Sequence, residues 1–281
     1  MAITEEMKTQ ITELYVGLIG RAPDSNGLDF WAGSLDSKIE GGQSEAAALR
    51  DVAQDMFDAD ASRDFYPDGL SNEEIVSEFY VNVLGRQGDQ EGIDFWTAKL
   101  DGGKPTGDVL VSMVEAVKNY SKDDADALES QDLFNNKVAV SEYYAAEVSE
   151  PGVPDDDAVA AAGALLDSVT SSTDVSSPEA TEQFVEDTLN AGETFTLTTN
   201  TDKVVAADYE LAEGETEEDV VRTTVKNDTI NATAASLSSA RTLNADDSID
   251  GGDGNDTLAV EMNASFSGFS ENGGVANVET V

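Results

Sequence analysis

Apolar residues recur at helical spacing through the first half of the chain and at strand-like spacing through its last third. Ile11, Leu14, Tyr15, Leu18 and Ile19 fall at i, i+3, i+4, i+7 and i+8, which lays one stripe along an amphipathic helix. Gly20 stands where a C′ glycine ends such a helix. Leu28, Trp31, Ala32 and Leu35 predict a second helix, and Leu49, Val52, Ala53, Met56 and Phe57 a third. The succession then returns. Ser71-Asn72-Glu73-Glu74 has the capping-box pattern, Gly85 closes that helix, and Val109, Met113, Ala116, Val117 and Tyr120 mark a later one. A further helix is expected over about 131–147.

The stretch Ser149-Glu150-Pro151-Gly152-Val153-Pro154 interrupts the pattern. Two helices are expected after it. One runs from the Asp155–Asp157 cap to about Val169, and the other from Ser176-Ser177-Pro178-Glu179 to about Asn190-Ala191-Gly192. From Thr194 the period becomes that of strands: Phe195-Thr196-Leu197-Thr198 alternates, and β-branched residues dominate Val204–Val205 and Val220–Val225. The expected class is therefore multidomain α+β. A duplicated all-α domain covers 1–148, a helical connector 149–192, and a β-rich region 193–281.

The duplication is explicit. Residues 13–36, ELYVGLIGRAPDSNGLDFWAGSLD, align without a gap to residues 78–101, EFYVNVLGRQGDQEGIDFWTAKLD, at an offset of 65, with 12 of 24 positions identical. The repeated unit is a helical supersecondary element, the kind of module that stacks against its own copies.

Near the end, Gly251-Gly252-Asp253-Gly254-Asn255-Asp256-Thr257-Leu258-Ala259 fits G-G-x-G-x-D-x-U-x, U being a large apolar residue. In tandem that pattern builds a parallel β-roll holding Ca²⁺ between turns. Its glycines allow left-handed turns, its Asp supplies hard oxygen, and its Leu fills the interior. An isolated Asp/Gly turn is the other reading of a single copy. Recurrence favours the roll: Asp228-Thr229-Ile230, Asp247-Ser248-Ile249 and Asp256-Thr257-Leu258 repeat an Asp-x-apolar step, the last two nine residues apart. The candidate Ca²⁺ ligands are accordingly Asp228, Asp247, Gly251, Gly252, Asp253, Gly254 and Asp256.

Charge sharpens this picture. The chain holds 58 acidic against 15 basic residues, a formal net charge of −43, and no histidine or cysteine. Such a surface repels nucleic acid and anionic lipid and attracts divalent cations. Without His or Cys there is no Ser–His or Cys–His nucleophile, no zinc–thiolate site and no disulfide. No Gly-rich phosphate loop follows a strand, and nothing singles out a carboxylate pair for glycoside cleavage. A non-enzymatic protein is expected. No run of about 18 apolar residues is present for a membrane span, and Met1-Ala2-Ile3-Thr4-Glu5-Glu6 lacks the basic and apolar regions of a classical signal peptide. The chain stops just after what reads as the start of a repeat region, as a piece of something longer would.

Two further groups carry open alternatives. Asp24, Asn26 and Asp29, with Asp89, Glu91 and Asp94 in the matching places, form either small Ca²⁺ loops or helix caps with acidic first turns. Trp31 and Trp96, beside Phe30 and Phe95, either stack on sugar rings with help from Arg21 and Arg86 or belong to the core.

Taken together, the duplicated Glu-x-Tyr-Val…Gly-Arg…Asp…Gly-x-Asp-Phe-Trp unit, the Thr/Asp-rich strand region and GGDGNDTLA resemble the N-terminal part of RTX-type surface-layer (S-layer) proteins of Gram-negative bacteria, and related large RTX adhesins. The resemblance spans most of the chain. It implies an extracellular, calcium-dependent structural protein forming a lattice with copies of itself, its helical part (1–148) anchored to lipopolysaccharide or another surface glycan. It also implies type I secretion with an uncleaved C-terminal signal. An adhesin or biofilm-matrix protein without a lattice is the alternative. Arg21-Ala22-Pro23-Asp24 keeps the family's pattern, whereas Arg86-Gln87-Gly88-Asp89 lacks its proline.

Overall fold

A computed structural model describes residues 3–120, 124–149, 154, 156–212 and 214–281. It is an α+β protein that divides into two compact units, Met1–Thr188 and Leu189–Val281. Parts of two expected features, residues 150–153 of the connector and Asp155 of the following cap, lie outside the described residues.

The first unit is helical. Helix α1 (Glu5–Leu14) starts where Thr4 Oγ1 accepts the Met7 N–H at 3.2 Å. Its stripe of Ile11, Leu14, Tyr15, Leu18 and Ile19 is buried throughout. The last five residues, Tyr15–Ile19, widen into a π-helical turn that Gly20 ends at φ +79°. Helices α2 (Ser25–Glu40) and α3 (Glu45–Asp58) follow. The order then repeats as α4 (Asn72–Glu78), a π-helical turn at Phe79–Val83, α5 (Gln90–Asp101) and α6 (Thr106–Lys118). Ser71 and Glu74 make both bonds of the expected capping box, at 3.3 and 2.7 Å.

A third round completes the unit. Helix α7 (Ala125–Tyr143) runs into a π-helical turn at Tyr144–Val148, then come α8 (Asp156–Asp167) and α9 (Pro178–Leu189). Helix α7 begins six residues before the expected 131, because Asp124 caps it by accepting the Ala127 N–H. The helices expected as a connector therefore continue the repeat. The signature survives in four residues: Thr12-Glu13-Leu14-Tyr15, Ser77-Glu78-Phe79-Tyr80 and Ser141-Glu142-Tyr143-Tyr144.

The second unit is built from two parallel sheets. Strands β1 (Ala191–Thr196), β4 (Asn227–Ala234) and β6 (Thr257–Met262) form one. Strands β3 (Val221–Arg222), β2 (Lys203–Val205), β5 (Ser248–Asp250) and β7 (Gly274–Ala276) form the other, in that order. From β4 onward the chain alternates between the sheets, so it winds as a coil with every pairing parallel. Register stacks Phe195, Ile230 and Leu258 in one sheet and Val204 beside Ile249 in the other. Their inward faces meet in one apolar cluster, joined by Leu197, Ala232 and Leu243. The expected strand at Val220–Val225 is confined to Val221–Arg222, since the Asp228 carboxylate reaches back to accept the Thr224 N–H and hydroxyl and draws the chain into a turn.

Candidate functional site

The three Asp-x-apolar steps place their carboxylates inside the coil. Asp228 lies in β4 and Asp256 immediately before β6 of the same sheet, 28 residues apart, while Asp247 lies immediately before β5 of the other; all three are buried. The nine-residue step from Asp247 to Asp256 is thus a crossing between sheets. Burying a carboxylate demands hydrogen-bond donors, and the backbone supplies them. Asp228 Oδ1 accepts the Glu193 N–H at 2.6 Å and its Oδ2 the Thr224 N–H at 2.7 Å. Asp247 accepts from Asp202 N–H at 2.9 Å and Asn244 N–H at 2.6 Å. Asp256 Oδ1 accepts the Asp228 N–H at 2.7 Å, and Asp256 N–H in turn donates to Glu279 Oε2 at 2.7 Å. One oxygen breaks the rule: Asp256 Oδ2 is enclosed without a hydrogen-bond partner among the described residues.

Desolvation, offset in part by those N–H groups, raises the pKa of both Asp247 and Asp256. The glycines of the nonapeptide make room for this arrangement. A Cβ on Gly251 would lie 2.1 Å from the Asn277 carbonyl oxygen and 2.4 Å from Asp256 Oδ2, so the two oxygens crowd the same Cα. Gly254 takes φ +124° against the Lys226 carbonyl, and Gly252 φ +85°. Asp253 is exposed and lines an open cleft of about 340 Å³ with Asp208, Asp250 and Asn277. Asp250 Oδ1 is held by Asn277 Nδ2 at 2.7 Å and Gly252 N–H at 3.2 Å. Among the described residues, no three or more acidic side chains are gathered in a metal-holding cluster. The donor set at the turn is nonetheless all hard oxygen, and Asp256 Oδ2 and the Asn277 carbonyl, both beside Gly251, are the atoms that could hold a Ca²⁺.

The second candidate lies in the helical repeats, and its centre is a residue not singled out from sequence. Tyr15 and Tyr80 each project their hydroxyl under the N-terminus of the next helix. A Cβ on Gly27 or Gly92 would lie 2.4 or 2.5 Å from that oxygen, which explains both repeated glycines. Arg21 and Arg86 cover the tyrosine rings at 5.6 and 5.4 Å. Burial pushes the Tyr15 phenol up to about 12. Asp24 and Asp89 cap the helices by accepting the Gly27 and Gly92 N–H at 2.8 and 2.7 Å. Tyr15 and Tyr80 were among the identities of the repeat, so the signal was present.

The remaining acidic positions of the loops do not converge. Asp29 pairs with Lys8 at 3.3 Å, Asp94 accepts from Gln90 at 2.8 Å, and Asn26 and Glu91 are exposed in first turns. Trp31 and Trp96 are half-buried; Phe30 and Phe95, packed edge-on against them at 5.0 and 4.9 Å, are 67% and 54% exposed.

Residues 53–122, which include all of the second repeat's helices, match the family described as Domain of unknown function (DUF4214). No curated protein matches the chain. No described helix is long and apolar enough to cross a membrane.

Proposed function

We propose that the chain is a non-enzymatic, calcium-dependent structural protein of the bacterial cell surface. Residues 189–281 act as an RTX-like β-roll, and the helical repeats act as the anchor of an S-layer lattice to lipopolysaccharide or a comparable surface glycan. The observation that carries the reading is Asp256 Oδ2, a fully buried carboxylate oxygen without a partner among the described residues, in a G-G-x-G-x-D turn of a parallel coil. Leaving such an atom unsatisfied costs about 1–3 kcal/mol or more. A Ca²⁺ ligated by Asp256 and the Asn277 carbonyl would convert that cost into binding energy, and Asp228 and Glu279 add negative potential around it.

The wider chemistry agrees. At −43 the chain repels itself where divalent cations are scarce, which favours an extended, exportable state. Calcium outside the cell neutralises that repulsion and couples folding to binding. Thermal melts of the whole chain in millimolar Ca²⁺ and in EGTA test the proposal; a midpoint that does not rise with Ca²⁺ removes the β-roll from it. Negative-stain images of the cell surface with and without EGTA test the lattice, whose periodic order should vanish on chelation.

A further inference from the structure

The helical repeats share one local design, yet their neighbours treat them differently. In the first repeat the turn before α2 is closed by the chain itself. Arg21 Nη1 pairs with Asp24 Oδ2 at 3.5 Å, Ala22 N–H donates to the Ala162 carbonyl at 3.3 Å, and Ser25 N–H donates to Ser149 Oγ at 3.0 Å. Ala22 and Asp24 are buried as a result. In the second repeat the matching ion pair is not made. Arg86 turns its Nε to Ser130 Oγ at 3.1 Å instead, and Asp89 stays exposed apart from its capping bond. Arg86 and Asp89 both line a cavity of about 220 Å³. Its lining includes the aromatic Tyr80, Trp96 and Tyr120, buried Met113 and, at its exposed edge, Ala116.

We infer that this cavity is a binding site for one neutral sugar ring, present in the second repeat and absent from the first. The inference rests on the glycan-anchoring reading above and gives it a location. Three features define the ligand. The cavity is smaller than the roughly 300–1,000 Å³ sites of drug-sized ligands, so it takes a single ring. Aromatic walls suit the apolar face of a pyranose. Arg86 offers only donors and Asp89 only acceptors, and adjacent hydroxyls of a sugar can accept from one while donating to the other. The acidic surface of the chain disfavours an anionic ligand and leaves a neutral ring as the best fit.

The chain has two tryptophans, one in the first repeat and one in the second, so each reports on its own repeat. Full-length protein labelled with 5-fluorotryptophan gives two ¹⁹F resonances, assigned with W31F and W96F and then followed in the unsubstituted chain. Neutral hexoses, an amino sugar and a uronic acid are titrated to tens of millimolar. The expected result is a saturable shift of the Trp96 resonance alone, strongest with a neutral hexose. Ala116→Phe, which fills the cavity, should abolish the shift. Asp89→Asn keeps an N-cap residue and should weaken binding at least tenfold, which covers the case in which the filled variant does not fold. The inference is overturned if no neutral sugar moves Trp96, if both resonances move alike, or if Asp89→Asn binds unchanged. Pull-down of the full chain on purified cell-surface polysaccharide separates the two readings. Retention of folded Ala116→Phe leaves anchoring intact and sinks the cavity; loss of binding by the unsubstituted chain, with Trp96 still responding to a hexose, does the reverse.

Discussion

The backbone N–H of Asp228 donates to Asp256 Oδ1 at 2.7 Å, across 28 residues of chain and one turn of the coil. Asp228 passes the relationship on by accepting the Glu193 N–H, and Asp256 by donating its own N–H to Glu279. Adjacent rungs of one sheet are therefore tied by acids as well as by the strand ladder. Asp256→Ala removes the acceptor and orphans a buried N–H, and should destabilise the second unit by about 1–3 kcal/mol. Asp256→Asn keeps an oxygen for Asp228 and gives up the charge. Its melt in EGTA should match or exceed that of the unsubstituted chain, while its Ca²⁺-induced rise should be lost. A calcium response equal to the unsubstituted chain's would place the ion elsewhere.

Acidity offers a second handle on the same residues. Asp247 and Asp256 have raised pKa values in the folded state, chiefly through desolvation. The folded chain then holds protons more tightly than the unfolded one, so linkage makes the coil more stable as pH falls through the raised values toward the ordinary 3.8. That contribution is lost as pH rises back through the folded-state values. With Ca²⁺ the sign reverses, because protons compete for the same oxygens. Metal-free melts taken as the pH is lowered toward 3.8 should therefore climb while the calcium increment shrinks. Asp256→Asn isolates this term from the general relief of charge repulsion: its metal-free climb should be smaller.

The helical repeats make a steric claim that double mutants can test. Gly27 has no room for a Cβ beneath the Tyr15 hydroxyl, and Gly92 none beneath Tyr80. Gly27→Ala should cost roughly 1–3 kcal/mol, as overpacking usually does. Tyr15→Phe removes the clashing oxygen. The double variant should therefore be more stable than the sum of the single losses predicts, with a coupling of about 0.5–3 kcal/mol. Strict additivity would mean that Gly27 is there for another reason.

Much of this architecture was readable from spacing. The stripe from Ile11 to Ile19, the Ser71 capping box and the glycine stops each rest on contacts within a few residues of chain, and local contacts leave local signatures. The third repeat was not read. It has kept the Tyr144 turn but lost the Gly-Arg and Phe-Trp positions, and its segment helps to close the first repeat's turn through Ser149 and Ala162. The coil's pairings were likewise hidden, since the partner of Ile230 is Leu258 and nothing in either tripeptide specifies the other. The aspartates were found by their recurrence. Their enclosure, and the oxygen left without a partner, came only from the coil closing around them.

The repeated glutamate before each tyrosine leads to the last expectation. Glu13 is buried, and its carboxyl pKa is raised by desolvation even though Lys118 Nζ reaches its Oε1 at 2.5 Å. The pair ties α1 to the end of α6, joining the first repeat to the second. Lys118 is partly open to solvent, so the pair itself contributes modestly. Removing only the lysine is a different matter, because it leaves a carboxylate in an apolar setting. Lys118→Met should cost about 1–2 kcal/mol, less than the roughly 3–5 kcal/mol of a fully buried pair because the lysine is partly exposed. Adding Glu13→Gln should recover most of that loss, because the stranded charge is gone. Urea melts of the single and double variants settle it: if Glu13→Gln fails to rescue Lys118→Met, the lysine's packing rather than its charge holds the two repeats together.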